Sequence, residues 1–376
     1  MESCRLCSAP LSLPEYSAAA PALLDGGKAL DVPTEVFVCD RCGLAQSPDF
    51  PQMQEFYAHE YKVSLDSADH DQIITLGNGK SQFRTDFQKE AVLNLAAPCS
   101  GARVLDFGSG KATTLKKLRM ARPDIVPYVF DVSEDYRPHW AVWVDPDKTA
   151  THKIPVAWLG RFDLVTAHFV LEHVAEPADT LRLLATLLAP AGRLYLSVPN
   201  SLANPGDLLV VDHLSHFSIG SLANALSIAG LRPIVTNETD FPGALLACCE
   251  PSAVAKTVEY PAEAPALRKV VAAWQIMCEN LLREAKLNSD SKAAIYGAGF
   301  YGSYIRTVLN GRGNIDCFID VNPHLQGTMH LGLPIVSPEK IPDDIAVVYA
   351  GLNPLKARQI LSKVSQLDQR QIIWLE

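Results

Sequence analysis

Hydrophobic and polar positions change their spacing along the chain, and these changes predict its elements. Apolar residues recur at helical spacing from Phe83 to Leu95, and alternating strand and helix patterns begin near Gly101. In the central segment the predicted strands are ARVLDFGSG, IVPYVFDVS, RFDLVTAHF and GRLYLSVPN, and the predicted helices are ATTLKKLRMAR and ADTLRLLATLLAP. Strands separated by helices predict a doubly wound α/β fold with a parallel sheet.

Further elements follow this central pattern. The segment SIGSLANALSIAG predicts a helix with Ser218 as its N-cap and Gly230 as its stop, and the apolar runs PIVT and ALLACC come after it. A segment rich in Ala, Pro and Glu then predicts a linker, and WQIMCENLLREAK predicts a long connecting helix. A second strand, glycine-rich turn and helix begin at Lys292 with KAAIYGAGFYGSYI.

Composition and charge narrow the class of protein. The 376 residues are 48% hydrophobic and 20% charged, which is typical of globular domains and excludes a disordered chain. The 33 basic and 42 acidic residues give a net charge of −9, so we expect a small-molecule substrate and no nucleic acid partner. The sequence contains no run of 18 apolar residues and no basic segment leading into an apolar one. We therefore expect a cytoplasmic protein without membrane attachment.

Four of the nine cysteines form two pairs with two-residue spacers, Cys4 with Cys7 and Cys39 with Cys42. Two such pairs on turns can supply four thiolates to one tetrahedral zinc ion. A site closed by four protein ligands has no open position for a substrate, so the predicted zinc is structural. Free thiols are the alternative, and core packing is the expectation for the other five cysteines.

A nucleoside-binding crevice is predicted where the first central strand ends. Asp106 ends that strand, and Gly108 and Gly110 form the turn before the next helix. Glycines let the backbone approach a ligand, and the helix N-terminus favours an anionic group. Asp131, 21 residues after Gly110, ends the second strand, where a carboxylate can accept bonds from both ribose hydroxyls.

The segments FDLVTAHFVLEHVAEP and LLAPAGRLYLSVPN resemble class I methyltransferases. The resemblance implies that S-adenosylmethionine is the cofactor. It also implies that Asp131 holds the ribose and that Asp106, Gly108 and Gly110 form the loop around the cofactor. Ala167 and His168, at the end of the segment RFDLVTAHF, would line the methionine side.

The whole chain resembles the sugar C-methyltransferases of deoxysugar biosynthesis. The resemblance rests on the cysteine pairs with CDRCGLAQ, the segment DHLSHFSIGSL and the second Rossmann-like unit. This implies a nucleotide-linked keto-sugar as substrate. We predict a zinc-binding domain over 1–80, a methyltransferase domain over 81–250, a linker and connecting helix over 251–290, and a Rossmann-like domain over 291–376. The family's Tyr-x-Glu-His segment aligns with Val210, Val211, Asp212 and His213.

Methyl transfer from a sulfonium needs a deprotonated carbon or oxygen nucleophile, and histidine is a suitable base at neutral pH. We predict His213 as the base, with Asp212 as a supporting carboxylate. His216 and Tyr61 are further catalytic candidates, although each can equally be a packing residue, and a structural role is the favoured interpretation of His173.

The second glycine-rich turn leaves alternatives open. Gly297, Gly299 and Gly302, with Asp320 following them, match a dinucleotide fingerprint. An NAD-dependent oxidoreductase is therefore one alternative, and a scaffold that closes over the sugar nucleotide is another. A non-enzymatic zinc-ribbon interaction protein is the third. The sequence does not distinguish carbon from oxygen methylation.

Overall fold

The computed structural model describes residues 2–25, 27–50, 53, 71, 73–75, 81–253 and 258–376. Their strands are β1 (Tyr16–Ala18), β2 (Ala22–Leu23), β3 (Ala29–Leu30), β4 (Thr34–Val38), β5 (Ala45–Gln46), β6 (Ile73–Thr75), β7 (Ser81–Phe83), β8 (Arg103–Phe107), β9 (Val126–Asp131), β10 (Thr149–Thr151), β11 (Phe162–His168), β12 (Leu188–Pro199), β13 (Ser215–His216), β14 (Leu231–Asn237), β15 (Ala244–Pro251), β16 (Lys292–Tyr296), β17 (Ile315–Ile319), β18 (Met329–His330), β19 (Leu333–Val336), β20 (Ile345–Ala350) and β21 (Gln371–Ile373).

The α-helices of the same residues are α1 (Arg84–Ala91), α2 (Thr113–Ala121), α3 (Arg137–Trp140), α4 (Pro177–Leu187), α5 (Ile219–Ile228), α6 (Ala264–Leu287), α7 (Phe300–Leu309) and α8 (Pro354–Leu361). The pattern from Phe83 to Leu95 is confirmed as helical, because α1 continues into a π-helical turn over Val92–Ala96. No helix in the described part of the chain combines the length and the apolar character that a membrane span needs.

The chain divides into two compact units, each built from separate stretches of sequence. The first comprises the described residues of Met1–Ser12, Cys39–Ser201 and Leu214–Ala264. The second comprises those of Leu13–Val38, Leu202–His213 and Pro265–Glu376. The four contiguous domains expected from the sequence stay a prediction, and the two units cut across them.

The first unit contains a seven-stranded sheet in the order β10-β9-β8-β11-β12-β15-β14. The strands from β10 to β12 are parallel, whereas β15 runs antiparallel to both β12 and β14. The predicted doubly wound α/β fold is confirmed, and the last two strands make its sheet mixed. The six residues that join them form a hairpin-type connection, whereas a parallel crossover needs a dozen or more.

Local sequence explains where helix α5 begins and ends. The Ser218 hydroxyl accepts a 3.3 Å bond from the Ser221 backbone N–H, and the Ser221 hydroxyl accepts a 2.9 Å bond from the Ser218 N–H. This reciprocal capping box satisfies two N–H groups at the helix start. Gly230 follows the helix with a φ of +73°, as a left-handed stop requires. Both predicted ends of this helix are confirmed.

The second unit contains a six-stranded sheet in the order β18-β19-β17-β16-β20-β21, parallel except for the β18–β19 pair. Strand β1 pairs antiparallel with β4 in the same unit. The segment 202–213 also belongs to this unit, where the Val211 N–H donates a 2.8 Å bond to the Leu23 carbonyl. The second glycine-rich pattern is thus confirmed as a Rossmann-like strand, turn and helix.

Candidate cofactor and catalytic sites

The turn between β8 and α2 requires glycine at its centre. Gly108 has a φ of +68°, and a Cβ atom added there would lie 2.5 Å from Cγ2 of Val170. Gly110 has a φ of +51°, and Ala112 enters the helix from a left-handed conformation with a φ of +54°. The Val170 side chain thus occupies the space that a Cβ atom at Gly108 would need, whereas one at Gly110 would lie 3.9 Å from the Tyr136 ring.

Asp131, at the end of β9, is bonded to this turn. Its Oδ2 accepts a 2.8 Å bond from the Gly110 N–H, and its Oδ1 accepts a 3.0 Å bond from the Ser133 N–H. Burial raises the pKa of Asp131, although these backbone donors oppose the shift. The Trp140 indole N–H donates a 2.7 Å bond to the Gly110 carbonyl. The structure thus brings together Asp131 and Gly110, two of the residues that the sequence assigned to the cofactor.

Asp106 lies deeper in the same sheet. It is 3% exposed, and its Oδ1 accepts a 2.8 Å bond from the Thr166 hydroxyl on neighbouring β11. Burial raises the pKa of Asp106 to about 7, while the Thr166 bond acts in the opposite direction. A carboxyl with this pKa can exist protonated or ionised near neutral pH.

Ala167 and His168 end strand β11. Ala167 is buried, and both ring nitrogens of His168 are buried without a hydrogen-bond partner among the described residues. Burial lowers the pKa of His168 to about 3, so its ring is neutral. Tyr195, whose ring centre lies 5.4 Å from that of His168, has a buried hydroxyl that is likewise without a partner in the described part of the chain.

Aromatic side chains surround this end of the sheet. The rings of Phe87 and Phe241 lie 5.0 Å apart, those of Phe169 and Phe241 lie 5.6 Å apart, and the Arg84 guanidinium stacks 4.0 Å from the Phe169 ring centre. Sequence reasoning did not identify this group, which we call the aromatic cluster (Phe87, Phe169 and Phe241). Its three members come from α1, the loop after β11 and the β14–β15 connection, so no sequence spacing connects them.

Comparison with known proteins agrees with this geometry. Residues 82–236 match the family model described as a methyltransferase domain. This part of the chain is a methyltransferase domain of the class I fold. It contains the β8–α2 turn, Asp131 and His168, and therefore every residue that the sequence placed around the cofactor.

Two curated relatives are ubiquinone biosynthesis O-methyltransferases. The protein from Xanthomonas axonopodis pv. citri is 32% identical over 106 residues, 27% of this chain and 44% of that protein. The protein from Ralstonia nicotianae is 28% identical over 156 residues, 36% of this chain and 66% of that protein. The chain thus spans less than half the length of the Xanthomonas relative.

Among solved structures, the chain is similar to a Burkholderia thailandensis 1,6-didemethyltoxoflavin-N1-methyltransferase with bound 1,6-didemethyltoxoflavin and S-adenosylhomocysteine. The identity is 20%, the match covers 45% of this chain and 79% of that one, and the TM-score is 0.36.

The four paired cysteines meet in the first unit, beside the methyltransferase domain in sequence. The sulfurs of Cys4 and Cys42 lie 3.5 Å apart, those of Cys7 and Cys39 lie 3.6 Å apart, and all four lie within 4.8 Å of one another. Sulfur hydrogen bonds from Cys4 and Cys42 hold the pKa of the Cys39 thiol well below its usual range. Four sulfurs at these separations fit the ligand set of one tetrahedral zinc ion.

His213 lies in the segment 202–213 and has a buried carboxylate partner. Its Nδ1–H donates a 2.6 Å bond to Oδ1 of Asp207, and the two side chains are 8% and 1% exposed. The sequence pointed to Asp212 as the supporting carboxylate. Oδ1 of Asp212 instead accepts a 2.7 Å bond from the Asp25 backbone N–H, and burial raises the pKa of Asp212 to about 6.

The remaining catalytic candidates have other placements. His216 is fully buried in β13, where its Nε2 lies 2.9 Å from the Ser47 hydroxyl. This bond connects β13 to the chain just after β5 and indicates a packing role. His173 ends a short 3₁₀ turn over Leu171–His173 and is partly buried. Tyr61 lies outside the described residues.

Proposed function

We propose that this protein is an S-adenosylmethionine-dependent methyltransferase with a small-molecule acceptor. The bond between Asp131 and the Gly110 N–H carries the proposal, because it joins an acidic strand end to a glycine-rich turn within a methyltransferase domain. A ribose can bond to the carboxylate while an anionic carboxylate group lies at the start of α2. When bound, S-adenosylmethionine supplies an electrophilic methyl group.

A carbohydrate, in particular a nucleotide-linked keto-sugar, is the acceptor that we propose first. The support is the resemblance of the whole chain to sugar C-methyltransferases, together with two features outside residues 82–236. These features are the four-cysteine cluster and the Rossmann-like unit. We also propose that the cysteine cluster holds one structural zinc ion.

His213 is the base that we propose for this reaction. Because Asp207 accepts the Nδ1–H, the tautomer has its lone pair on Nε2, where a proton can be taken up. His213 removes a proton from the acceptor carbon beside a ketone or from a hydroxyl. The deprotonated acceptor would then be able to take the methyl group that S-adenosylmethionine supplies when bound. Asp207 stabilises the imidazolium that results.

Oxygen methylation of a hydroxylated ring is a second candidate function. The observation that favours it is the aromatic cluster beside two polar groups without described partners, His168 and the Tyr195 hydroxyl. Flat rings pack well against aromatic side chains, and a ring hydroxyl could bond to a neutral imidazole. The two relatives described above are O-methyltransferases.

Calorimetric titration and product analysis test these proposals in order. We expect S-adenosylhomocysteine to bind and NAD to give no heat. Incubation with S-adenosylmethionine and candidate nucleotide sugars, followed by mass spectrometry and NMR, then gives the acceptor, because the methyl chemical shift distinguishes carbon from oxygen attachment. NAD binding without S-adenosylhomocysteine binding would favour the oxidoreductase, and binding of neither would favour the interaction protein.

A further inference from the structure

The segment 202–213, which contains Asp207 and His213, is held by three polar side chains from residues 265–376 of the same unit. The Trp274 indole N–H donates a 3.0 Å bond to the Pro205 carbonyl. The Asn353 amide donates a 3.0 Å bond to the Ala203 carbonyl. The third side chain is that of Tyr301, which lies within the glycine-rich turn itself.

Tyr301 makes the most specific of these contacts. Its hydroxyl accepts a 2.9 Å bond from the Gly206 N–H and donates a 2.8 Å bond to Oδ1 of Asn204. A Cβ atom at Gly206 would lie 2.7 Å from Cζ of Tyr301, so the backbone there passes directly against the ring. The hydroxyl donates one bond and accepts one, and it thereby connects two successive parts of the segment.

A chain of backbone bonds leads from this anchor to His213. The Asp207 N–H donates to the Asn204 carbonyl at 3.0 Å, and the Val210 N–H donates to the Asp207 carbonyl at 3.1 Å. The His213 N–H then donates to the Val210 carbonyl at 3.0 Å. Asn204, which Tyr301 holds directly, is thus connected to the His213–Asp207 pair in three short steps.

The fingerprint residues of the second glycine-rich turn have packing functions of their own. A Cβ atom at Gly302 would lie 1.9 Å from the Gly297 carbonyl oxygen, and one at Gly297 would lie 2.4 Å from the Gly351 carbonyl oxygen. Asp320, the expected ribose ligand, accepts a 2.9 Å bond from the Ala298 N–H on Oδ2. Close packing within the unit therefore accounts for Gly297 and Gly302, whereas a Cβ atom at Gly299 would meet no other atom within 4 Å.

We propose that this turn serves as the platform for the segment that carries the base, and that Tyr301 is a positioning residue for His213. The inference rests on the proposed function of His213. It assigns to the Rossmann-like unit a role in catalysis through geometry, in place of a nicotinamide cofactor. Small displacements of a base from its productive geometry reduce turnover steeply.

The experiment uses the full chain and compares Tyr301→Phe with Tyr304→Phe. Both changes remove one hydroxyl from helix α7, but the Tyr304 hydroxyl has no hydrogen-bond partner in the segment. Nitrogen-15 labelling of histidine provides a readout independent of activity, because the Nδ1–H of His213 in a short bond to a carboxylate gives a downfield, slowly exchanging proton signal. Asp207→Asn assigns that signal by removing it.

We expect Tyr301→Phe to broaden or remove the His213 signal and to lower kcat about tenfold, with KM for S-adenosylmethionine unchanged. The unfolding midpoint should fall by only a few degrees, because the Gly206 N–H loses its acceptor. Tyr304→Phe should keep both signal and kcat within about twofold of the wild type. Gly206→Ala, which crowds the Tyr301 ring from the other side, should reproduce the effect of Tyr301→Phe.

An unchanged signal and an unchanged kcat in Tyr301→Phe would overturn the positioning role. A Tyr301→Phe variant that loses cofactor affinity or fails to fold, without a specific loss of kcat, would overturn it as well. If Tyr301→Phe removes the signal but wild-type protein methylates no acceptor, the positioning of His213 stands and the proposed function fails. If NAD binds to the wild-type protein and breaks the contacts of Tyr301 with the segment 202–213, the proposed platform role would be overturned.

Discussion

The carboxylate of Asp131 accepts a 2.8 Å hydrogen bond from the backbone N–H of Gly110. One side chain thereby fixes the shape of the glycine-rich turn and places negative charge where a ribose would lie. The two tasks involve different lone pairs, since each carboxylate oxygen can accept more than one bond. Replacing Asp131 should therefore affect the cofactor site more than a lost ribose contact alone would.

We expect Asp131→Ala to weaken binding of S-adenosylmethionine by about 1.5–3 kcal/mol, or roughly 10- to 150-fold in Kd, because hydrogen bonds to a charged group are lost. Calorimetric titration of the folded variant measures the change. Asp124→Ala is the matched control, since Asp124 lies before the same strand in an exposed pair with Arg122. An unchanged Kd for Asp131→Ala would mean that the ribose partner lies elsewhere.

Purified protein should contain one zinc ion per chain, because four thiolates within 4.8 Å of one another form a complete tetrahedral ligand set. Elemental analysis by mass spectrometry measures the stoichiometry. The double variant Cys39→Ala and Cys42→Ala should lose the metal, whereas Cys99→Ala, at an exposed cysteine, should retain it. Protein without stoichiometric metal, or a double variant that keeps it, contradicts this assignment.

His213→Ala should lower turnover about 10²- to 10⁴-fold while S-adenosylmethionine binds normally, as is usual when a general base is removed. His152→Ala, at an exposed histidine, should leave turnover unchanged. If carbon is the nucleophile, wild-type protein in deuterated water should also exchange the proton beside the acceptor ketone, and His213→Ala should not. Near-normal turnover of His213→Ala would mean that another residue is the base, and His173 and His216 would be the next candidates.

Stability without cofactor should fall as pH rises towards 8, because burial raises the pKa of Asp106 to about 7. Between about pH 4 and pH 7 the folded protein keeps a proton that the unfolded chain releases, so the contribution is fully present below pH 4 and is lost above 7. Urea unfolding at pH 5 and pH 8 measures the decrease in the free energy of unfolding between these pH values. We expect this decrease to be smaller by roughly 2–4 kcal/mol in Asp106→Asn than in the wild type. If the free energy of unfolding depends equally on pH in the two proteins, Asp106 is already ionised in the folded protein at these pH values.

Local signals in the sequence account for much of the fold. Ser218 and Gly230 bound their helix as predicted, because caps depend on a few neighbouring residues. The antiparallel direction of β14 and β15 required the structure, since a short apolar run has the same pattern in either direction. The assignment of Leu13–Val38 to the second unit depends on pairings across most of the chain, which no local pattern contains.

The candidate sites also differ in how much of each could be predicted from local sequence. Paired cysteines and the turn at Gly108 have fixed spacings, so the sequence placed them directly. The partner of His213 did not follow from adjacency, because a 3₁₀ turn over Pro205–Leu209 brings Asp207 to Nδ1 while neighbouring Asp212 bonds elsewhere. Tyr301 follows Gly299 in the second glycine-rich turn, and its bonds to Asn204 and Gly206 became visible only in the structure.

The discontinuous second unit has a consequence for the order in which the protein is synthesised. The Val38 carbonyl accepts a 3.2 Å bond from Arg268, which lies 230 residues later in the chain, and Glu15 pairs with the same arginine. At ribosomal rates of about 5–20 residues per second, the early segment waits roughly 10–50 s for these partners to be translated. During that interval Glu15 and the Val38 carbonyl lack the guanidinium group, although strand β4 already has β1 as its partner. Nascent chains stalled before Arg268 should therefore depend on chaperones more than finished ones.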